Sequence, residues 1–338
     1  MQSNEDMRKS TYNSAKIILT LLVVIAHSTR MYTGYGAFTP VRSSYVLSVL
    51  SALIYAFHMP AFVMLSGCVY GYQIDNLGKY TKPVPFVKRK AQRLLIPYIC
   101  FGMLYVTPII YALQLTNLSI GQYFLKGIVL ALDCKHLWYI LALFWIYCFA
   151  LLLRKVLLLN KKYVEIIVVI CSFLLSMSAK YLPDILQLSA AAEYWLYFVL
   201  GIYLNRHVTQ FSRPEIRYVN WIGIPLCAAV LLFRIFLLNT CLSYIYALSG
   251  CFLVFILSQS MNDDLSKKLP AQCILNNSYG IYLFHPMIIY LLYSVTWKAN
   301  IAPILLASSV ALISFGVSLS LTGIIRKTRL CFVIGEHI

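Results

Sequence analysis

Charge is what this sequence has least of. Only 12% of its 338 residues are charged and just 11 are acidic, against about a quarter charged in an ordinary soluble domain. At 61% hydrophobic and a mean hydropathy of +0.77, the chain has too little polar surface to clothe a water-soluble fold, which excludes a soluble enzyme or binding module. The ten cysteines contain no CxxC pair, so the usual zinc and redox motifs are missing. They are scattered, mostly within apolar runs, and read as reduced, apolar packing residues, with no metal expected. A glycine-rich phosphate loop, a long repeat and a low-complexity tract are also absent. The formal charge of +17 does not indicate nucleic acid, because the basic residues sit between apolar runs and not on one folded soluble face.

What the chain does have is long apolar runs, at about 14–33, 45–72, 94–114, 136–159, 163–179, 191–205, 218–238, 241–259, 277–297 and 301–325. Each approaches the roughly 20 residues needed to cross a bilayer. The runs predict an all-α, polytopic integral membrane protein of about ten transmembrane helices, with residues 1–338 forming one transmembrane domain. The shorter apolar piece at 119–131 reads as interfacial or re-entrant, and the connection around Asn239 and Thr240 as a hairpin turn. Roughly three-quarters of the 28 Lys and Arg cluster at one set of helix ends. Arg30, Arg42, Lys126, Lys135, Lys180, Arg234 and Lys298 fall at the other. By the positive-inside rule both termini are expected in the cytoplasm, and an even number of helices requires the same. The first run contains His27, lacks a small-residue cleavage site and is followed by Arg30, so it is read as a retained helix and not as a secretory signal.

In so apolar a chain the few ionisable residues within spans mark the place to look for function, because each is costly and faces a bundle interior or water-filled cavity. His27, His58, His136 and His285 qualify; His207, in a loop, and His337, in the tail, do not. Lys16 and His27 are eleven steps apart, which returns to nearly the same helix face about 16 Å further along. The structural alternative is that Lys16 snorkels as an anchor and His27 hydrogen-bonds a neighbouring helix. His58 lies in Phe57-His58-Met59-Pro60 and His285 in Phe284-His285-Pro286. Proline frees a carbonyl one turn earlier, so both histidines border backbone that either lines a cavity or forms an ordinary kink. Asp133 and Glu193 fall near outer helix ends, where they orient an imidazole, bind hydroxyls or are simply solvated. Arg30 and Arg234 suit an anion or those acids, and Glu165 reads as a snorkelling residue near a cytoplasmic end. The densest basic cluster, Lys88, Arg89, Lys90 and Arg93, suits a phosphate-bearing cytoplasmic cofactor or anionic lipid headgroups equally. Outer aromatic residues such as Tyr32, Tyr35, Phe38, Tyr194 and Trp195 suit sugar stacking or an ordinary interfacial belt.

Taken in order, these residues resemble the integral-membrane acyltransferase 3 family, and within it the sugar and exopolysaccharide O-acetyltransferases. The resemblance rests on Lys16 and His27 at the family's basic-to-His spacing, on Phe57-His58-Met59-Pro60 with Phe62 and Leu65-Ser66-Gly67, and on Arg93-Leu94-Leu95-Ile96-Pro97-Tyr98. His136-Leu137-Trp138-Tyr139 and Ser278 through Pro286 complete it. It implies a multi-pass protein of the cell membrane, a bacterial plasma membrane, in which acyl-CoA (acetyl-CoA first among the donors) enters from the cytoplasm and an acyl group moves to a hydroxyl of a glycan or lipid-linked sugar. Two departures bear on donor binding: Asn13 stands where the family commonly has an acid, and Lys16 where it often has Arg, whose bidentate fork Lys lacks.

On this reading His27, His58 and His285 are the candidate catalytic residues. His27 acts as general base or as transient acyl carrier, while His58, His285 and Ser66 orient it or donate to the oxyanion. Lys16, Lys88, Arg89, Lys90 and Arg93 are the candidate donor-binding residues, and Arg30, His136, Trp138 and Glu193 the candidate acceptor-binding ones. The expected partners are acyl-CoA, the glycan or lipid-linked acceptor and membrane lipids, without nucleic acid. The competing class is an exporter or flippase of polysaccharide or lipid-linked sugar, for which the His-Pro sites on two helices are a faint sign of paired broken helices. A sensor or scaffold would have no use for the Lys16 and His27 register.

Overall fold

The computed structural model describes residues 4–207, 213–235, 240–261 and 268–336; the expected turn at Asn239, and His337, lie outside them. Among the described residues the chain is helical throughout, without strands. The principal helices are α1 (Asn4–Thr29), α2 (Tyr45–Tyr55), α3 (His58–Gly71), α4 (Pro83–Phe101), α5 (Trp138–Leu152) and α6 (Lys162–Ser178). They continue with α7 (Leu188–His207), α8 (Arg213–Phe233), α9 (Thr240–Ser260), α10 (Leu269–Thr296) and α11 (Pro303–Arg326). With their flanking turns, nine helices among the described residues are long and apolar enough to cross a membrane: Arg8–Tyr32, Tyr45–Asn76, Pro83–Ala112, Lys135–Leu152, Lys162–Tyr181, Ile185–His207, Leu242–Ser260, Leu269–Thr296 and Pro303–Arg326. The remaining apolar run, at 218–238, holds α8, whose apolar part Trp221–Phe233 falls short of that length.

Several helices extend past the apolar stretch that announces them. The fourth begins at Pro83, with proline in its first turn, so the basic residues at 88–93 ride on regular helix ahead of the apolar core. Lys and Arg are good helix formers and proline is tolerated at the start, but neither adds hydrophobicity to a window. The segment at 119–131 forms one short turn, Ile120–Tyr123, capped reciprocally by Ser119 and Gln122, followed by a wide π-turn over Phe124–Val129. At about 1.5 Å per residue it is far too short to span.

The chain divides into two compact units, Met1–Leu65 with Val208–Gly323, and Ser66–His207 with Ile324–Ile338. In the first, α1 packs against α2, α9 and α10, and α8 against α9. α1 and α10 run parallel: Lys16 Nζ donates to the Leu275 carbonyl at 3.2 Å, and near the other end the Tyr293 hydroxyl donates to the Ser28 carbonyl at 2.8 Å. Val23, Val24 and Ile281 form the core between these contacts, with Phe62 and Phe315 packed on it. Close approach relies on small residues: a Cβ at Gly280 would lie 2.1 Å from the Thr322 hydroxyl.

In the second unit α5 lies against α4 and α7, and α6 against α7. Gly67 and Gly71, one turn apart, admit the backbone of α7; a Cβ at Gly67 would sit 2.1 Å from the Phe198 carbonyl, and one at Gly71 3.1 Å from the Ile202 Cα. Such small-residue faces bring membrane helices together where lipid supplies no hydrophobic drive. The C-terminal turn Arg329–Ile334 packs on α4. There Gly335, at φ +70°, comes within 2.6 Å (from an added Cβ) of the Arg93 carbonyl, the group that Pro97 leaves without its helical donor.

The buried charges of Arg206 and Glu165 in this unit are paired. Arg206 donates to Asp75 through Nε (3.2 Å) and Nη2 (3.1 Å), to Glu165 at 2.6 Å and to the Leu157 carbonyl at 2.8 Å. His207 Nε2 meets the second Glu165 oxygen at 2.7 Å. Glu165 is therefore not a snorkelling side chain but a buried one, tied to two basic partners on α7. A carboxylate held this way has no cause to reach for the interface, because its charge and lone pairs are satisfied in place.

Candidate active site

Three imidazoles gather in the first unit, each placed by its own helix. His27 lies in the last turn of α1. His58 is the first residue of α3, just past a break in the chain: Pro60 has no N–H to give, α2 ends at Tyr55, and the amides of Ala56 and Phe57 make short bonds to Leu53 and Ile54 at 3.2 Å. Pro286, by contrast, sits inside an unbroken α10, and the His285 carbonyl beside it accepts from Ser314 of α11 at 3.0 Å. The His27 ring centre is 4.9 Å from that of His285 and 6.4 Å from that of His58, both nearly edge to face. His58 and His285 are fully buried, at 1% and 0% exposure, while His27 retains partial access.

All three rings use the same nitrogen in the same way. Nδ1 of His27, His58 and His285 meets the carbonyl one turn back, Val23 at 2.9 Å, Ile54 at 2.9 Å and Ile281 at 2.7 Å respectively. A carbonyl can only accept, so Nδ1 carries the proton in the neutral ring and Nε2 is left with the lone pair. Each imidazole is thus oriented by backbone to present a basic nitrogen. The buried Nε2 of His58 has no hydrogen-bond partner among the described residues, a costly state that calls for an explanation. The same tautomer prevents a neutral His58 or His285 from donating to an oxyanion, since the N–H is already given to the backbone.

Tyr55, the last residue of α2, completes the cluster. Its ring centre lies 4.9 Å from His58 and 5.8 Å from His27, and the Arg30 guanidinium sits 4.7 Å from the ring centre. No motif marks this tyrosine in the sequence; the only signal is its place ahead of the break that Pro60 imposes. Lys16 belongs to the same face of α1 as His27, and both contact α10, at Leu275 and His285. The eleven-residue register on α1 thus meets a ten-residue one on its neighbour.

The other expected site residues belong to the second unit. Lys88, Arg89 and Arg93 are exposed on α4, with Arg89 Nε donating to the Pro85 carbonyl at 3.3 Å. Lys90 turns inward, its ammonium 3.5 Å from the Tyr147 ring centre and 5.6 and 5.7 Å from those of Phe86 and Tyr80. His136 lies in the short turn before α5. Trp138 opens that helix with its ring 5.3 Å from Tyr194, the neighbour of the exposed Glu193 on α7. Asp133 pairs with Lys135 at 2.7 Å on the surface. Ser66 hydrogen-bonds with Tyr139 and Tyr147. Arg234, in the first unit, lies 5.7 Å from the Tyr246 ring centre. Among the described residues no group of three His, Cys, Asp or Glu is arranged to hold a metal ion.

Comparison with known proteins gives one family. The acyltransferase 3 family model, described as an acyltransferase domain, matches residues 11–323. No curated protein and no solved structure gives a match.

Proposed function

The chain belongs to the acyltransferase 3 family, and from that premise we propose that this membrane acyltransferase moves an acetyl group from cytoplasmic acetyl-CoA to a hydroxyl of a cell-surface glycan or lipid-linked sugar. In this reading it resides in a bacterial plasma membrane with both termini in the cytoplasm. The observation that carries the chemistry is the set of three imidazoles, with His285 and His58 at 4.9 and 6.4 Å from His27 and each with Nδ1 committed to a carbonyl and Nε2 left with its lone pair.

His27, the most accessible of the three, is the general base. Its Nε2 takes the proton of the acceptor hydroxyl as the oxygen attacks the thioester carbonyl. The new C–O bond forms, the C–S bond breaks, and the proton passes from the imidazolium to the departing thiolate. A positioned base of this kind contributes about 10²–10⁴ in rate. His285 and His58 present further lone pairs toward the same ring and stabilise the transient imidazolium. On the donor side, the exposed Lys88, Arg89 and Arg93 supply cations for the CoA phosphates, and Lys16 fixes the inner end of the α1 face. Mass spectrometry of surface glycans from cells with and without the gene tests the whole: loss of mass equal to one acetyl group per modified sugar is the expected result. Identical glycan masses in the two strains would contradict it.

A further inference from the structure

Among the described residues, Arg30 is the one charged side chain beside the histidine cluster, and nothing acidic pairs with it. The acidic residues of that unit are Glu5, Asp6, Glu215, Asp263 and Asp264. Glu5 and Asp6 open α1, about 36 Å of helix away from Arg30 at its far end. Glu215 opens α8, whose other end carries Arg234, and Asp263 and Asp264 follow the end of α9. Among the described residues, the Arg30 end of the unit therefore has Arg30, Arg42, Arg234 and Lys298 and no carboxylate. Arg30 makes no ion pair among the described residues, and it is partly buried. Tyr55, whose ring centre lies 4.7 Å away and whose hydroxyl is hydrogen-bonded with the guanidinium, offsets part of that cost but supplies no charge. Tyr55 also touches His58 and His27, so the guanidinium is held one turn from the reacting imidazole and on its side of the cluster. A snorkelling Arg needs no such company.

We infer that the acyl acceptor is acidic, and that Arg30, held on the ring of Tyr55, binds its anionic group while His27 addresses a nearby hydroxyl. This rests on the acyl-transfer reading above and narrows its substrate class to sugars that carry a carboxylate or similar anion. Arg is suited to the task because its planar fork matches a carboxylate with two parallel bonds. A neutral sugar would leave the guanidinium unanswered.

The test uses two probes of equal chain length, dodecyl β-D-glucuronide and dodecyl β-D-glucoside, which differ at the sugar by a carboxylate. Binding of each to the full chain in phosphatidylcholine nanodiscs is measured first, and transfer of radiolabelled acetyl from acetyl-CoA to each second. The glucuronide is expected to bind about tenfold tighter or more, as befits a charge-assisted pair. Arg30→Gln is expected to erase the difference and Arg30→Lys to retain part of it. Equal binding of the two probes by the wild-type protein, a comparison that needs no variant, overturns the inference. So does a preference that survives Arg30→Gln, which assigns it to other cations, or an equal loss on both probes, which assigns Arg30 to the reaction itself. Displacement of the glucuronide by phosphatidylglycerol makes Arg30 a headgroup site and overturns it as well. A clear binding preference without acetyl transfer to either probe supports the anion site and counts instead against the acyl-transfer reading.

Discussion

In the second unit Arg206 is met by two carboxylates and a carbonyl, whereas in the first Arg30 meets the ring and hydroxyl of Tyr55 but no carboxylate among the described residues, and His58 buries an Nε2 that has no hydrogen-bond partner among the described residues. The two arrangements answer the same physical problem, a polar group taken out of water, in opposite ways. Where every donor and acceptor is satisfied, the network fixes helix ends: Arg206 joins α7 to the segment after α3, to the start of α6 and to the turn after α5. Where groups are left short of partners, the structure carries a standing cost, which the substrate proposed above would relieve on binding. On the proposed function, the contrast separates charge that builds the fold from charge that binds substrate.

Breaking each arrangement gives different signatures. The largest effect on stability is expected from Arg206→Ala, which leaves Glu165 and Asp75 without their shared cation. Removing one partner of a buried pair costs about 3–5 kcal/mol, read as a lowered unfolding temperature of protein in detergent, with turnover per folded molecule little changed. His58→Phe reverses that pattern: the ring contacts with Tyr55 and His27 are kept and the lone pair is lost. Acyl transfer is expected to fall by about ten- to a hundredfold, for about 1 kcal/mol of stability lost with the Nδ1 bond. A His58→Phe protein with full activity would remove that residue from the site. The smallest effect belongs to Asp133→Asn. Its pair with Lys135 is solvent-exposed, and such pairs contribute about 0–1 kcal/mol, so neither melting nor turnover should move measurably.

The comparison also shows what one sequence can and cannot reveal. Of the ten expected spans, nine are met among the described residues, because a bilayer imposes a length and a composition on any crossing helix. The register of Lys16 and His27 was legible because eleven residues is close to three whole turns, and the structure sets both against α10. The break before His58 follows from Pro60, yet the same logic does not separate it from Pro286, which α10 accommodates without interruption. Glu165 shows the limit most clearly. Its partners Arg206 and His207 lie 41 and 42 positions away, and Asp75 is 131 from Arg206. A single sequence displays the charges but not the helix packing that pairs them. Tyr55 and the aromatic wall around Lys90 were hidden for the same reason, being three-dimensional neighbours among 26 tyrosines.

Acyl transfer by the histidine cluster, with His27 as its base, is measured as transfer of radiolabelled acetyl from acetyl-CoA in proteoliposomes containing equal amounts of folded wild-type and His27→Ala protein. His27→Ala is expected to lower transfer by at least about a hundredfold, with insertion and melting temperature preserved. Undiminished transfer by the folded variant would contradict it.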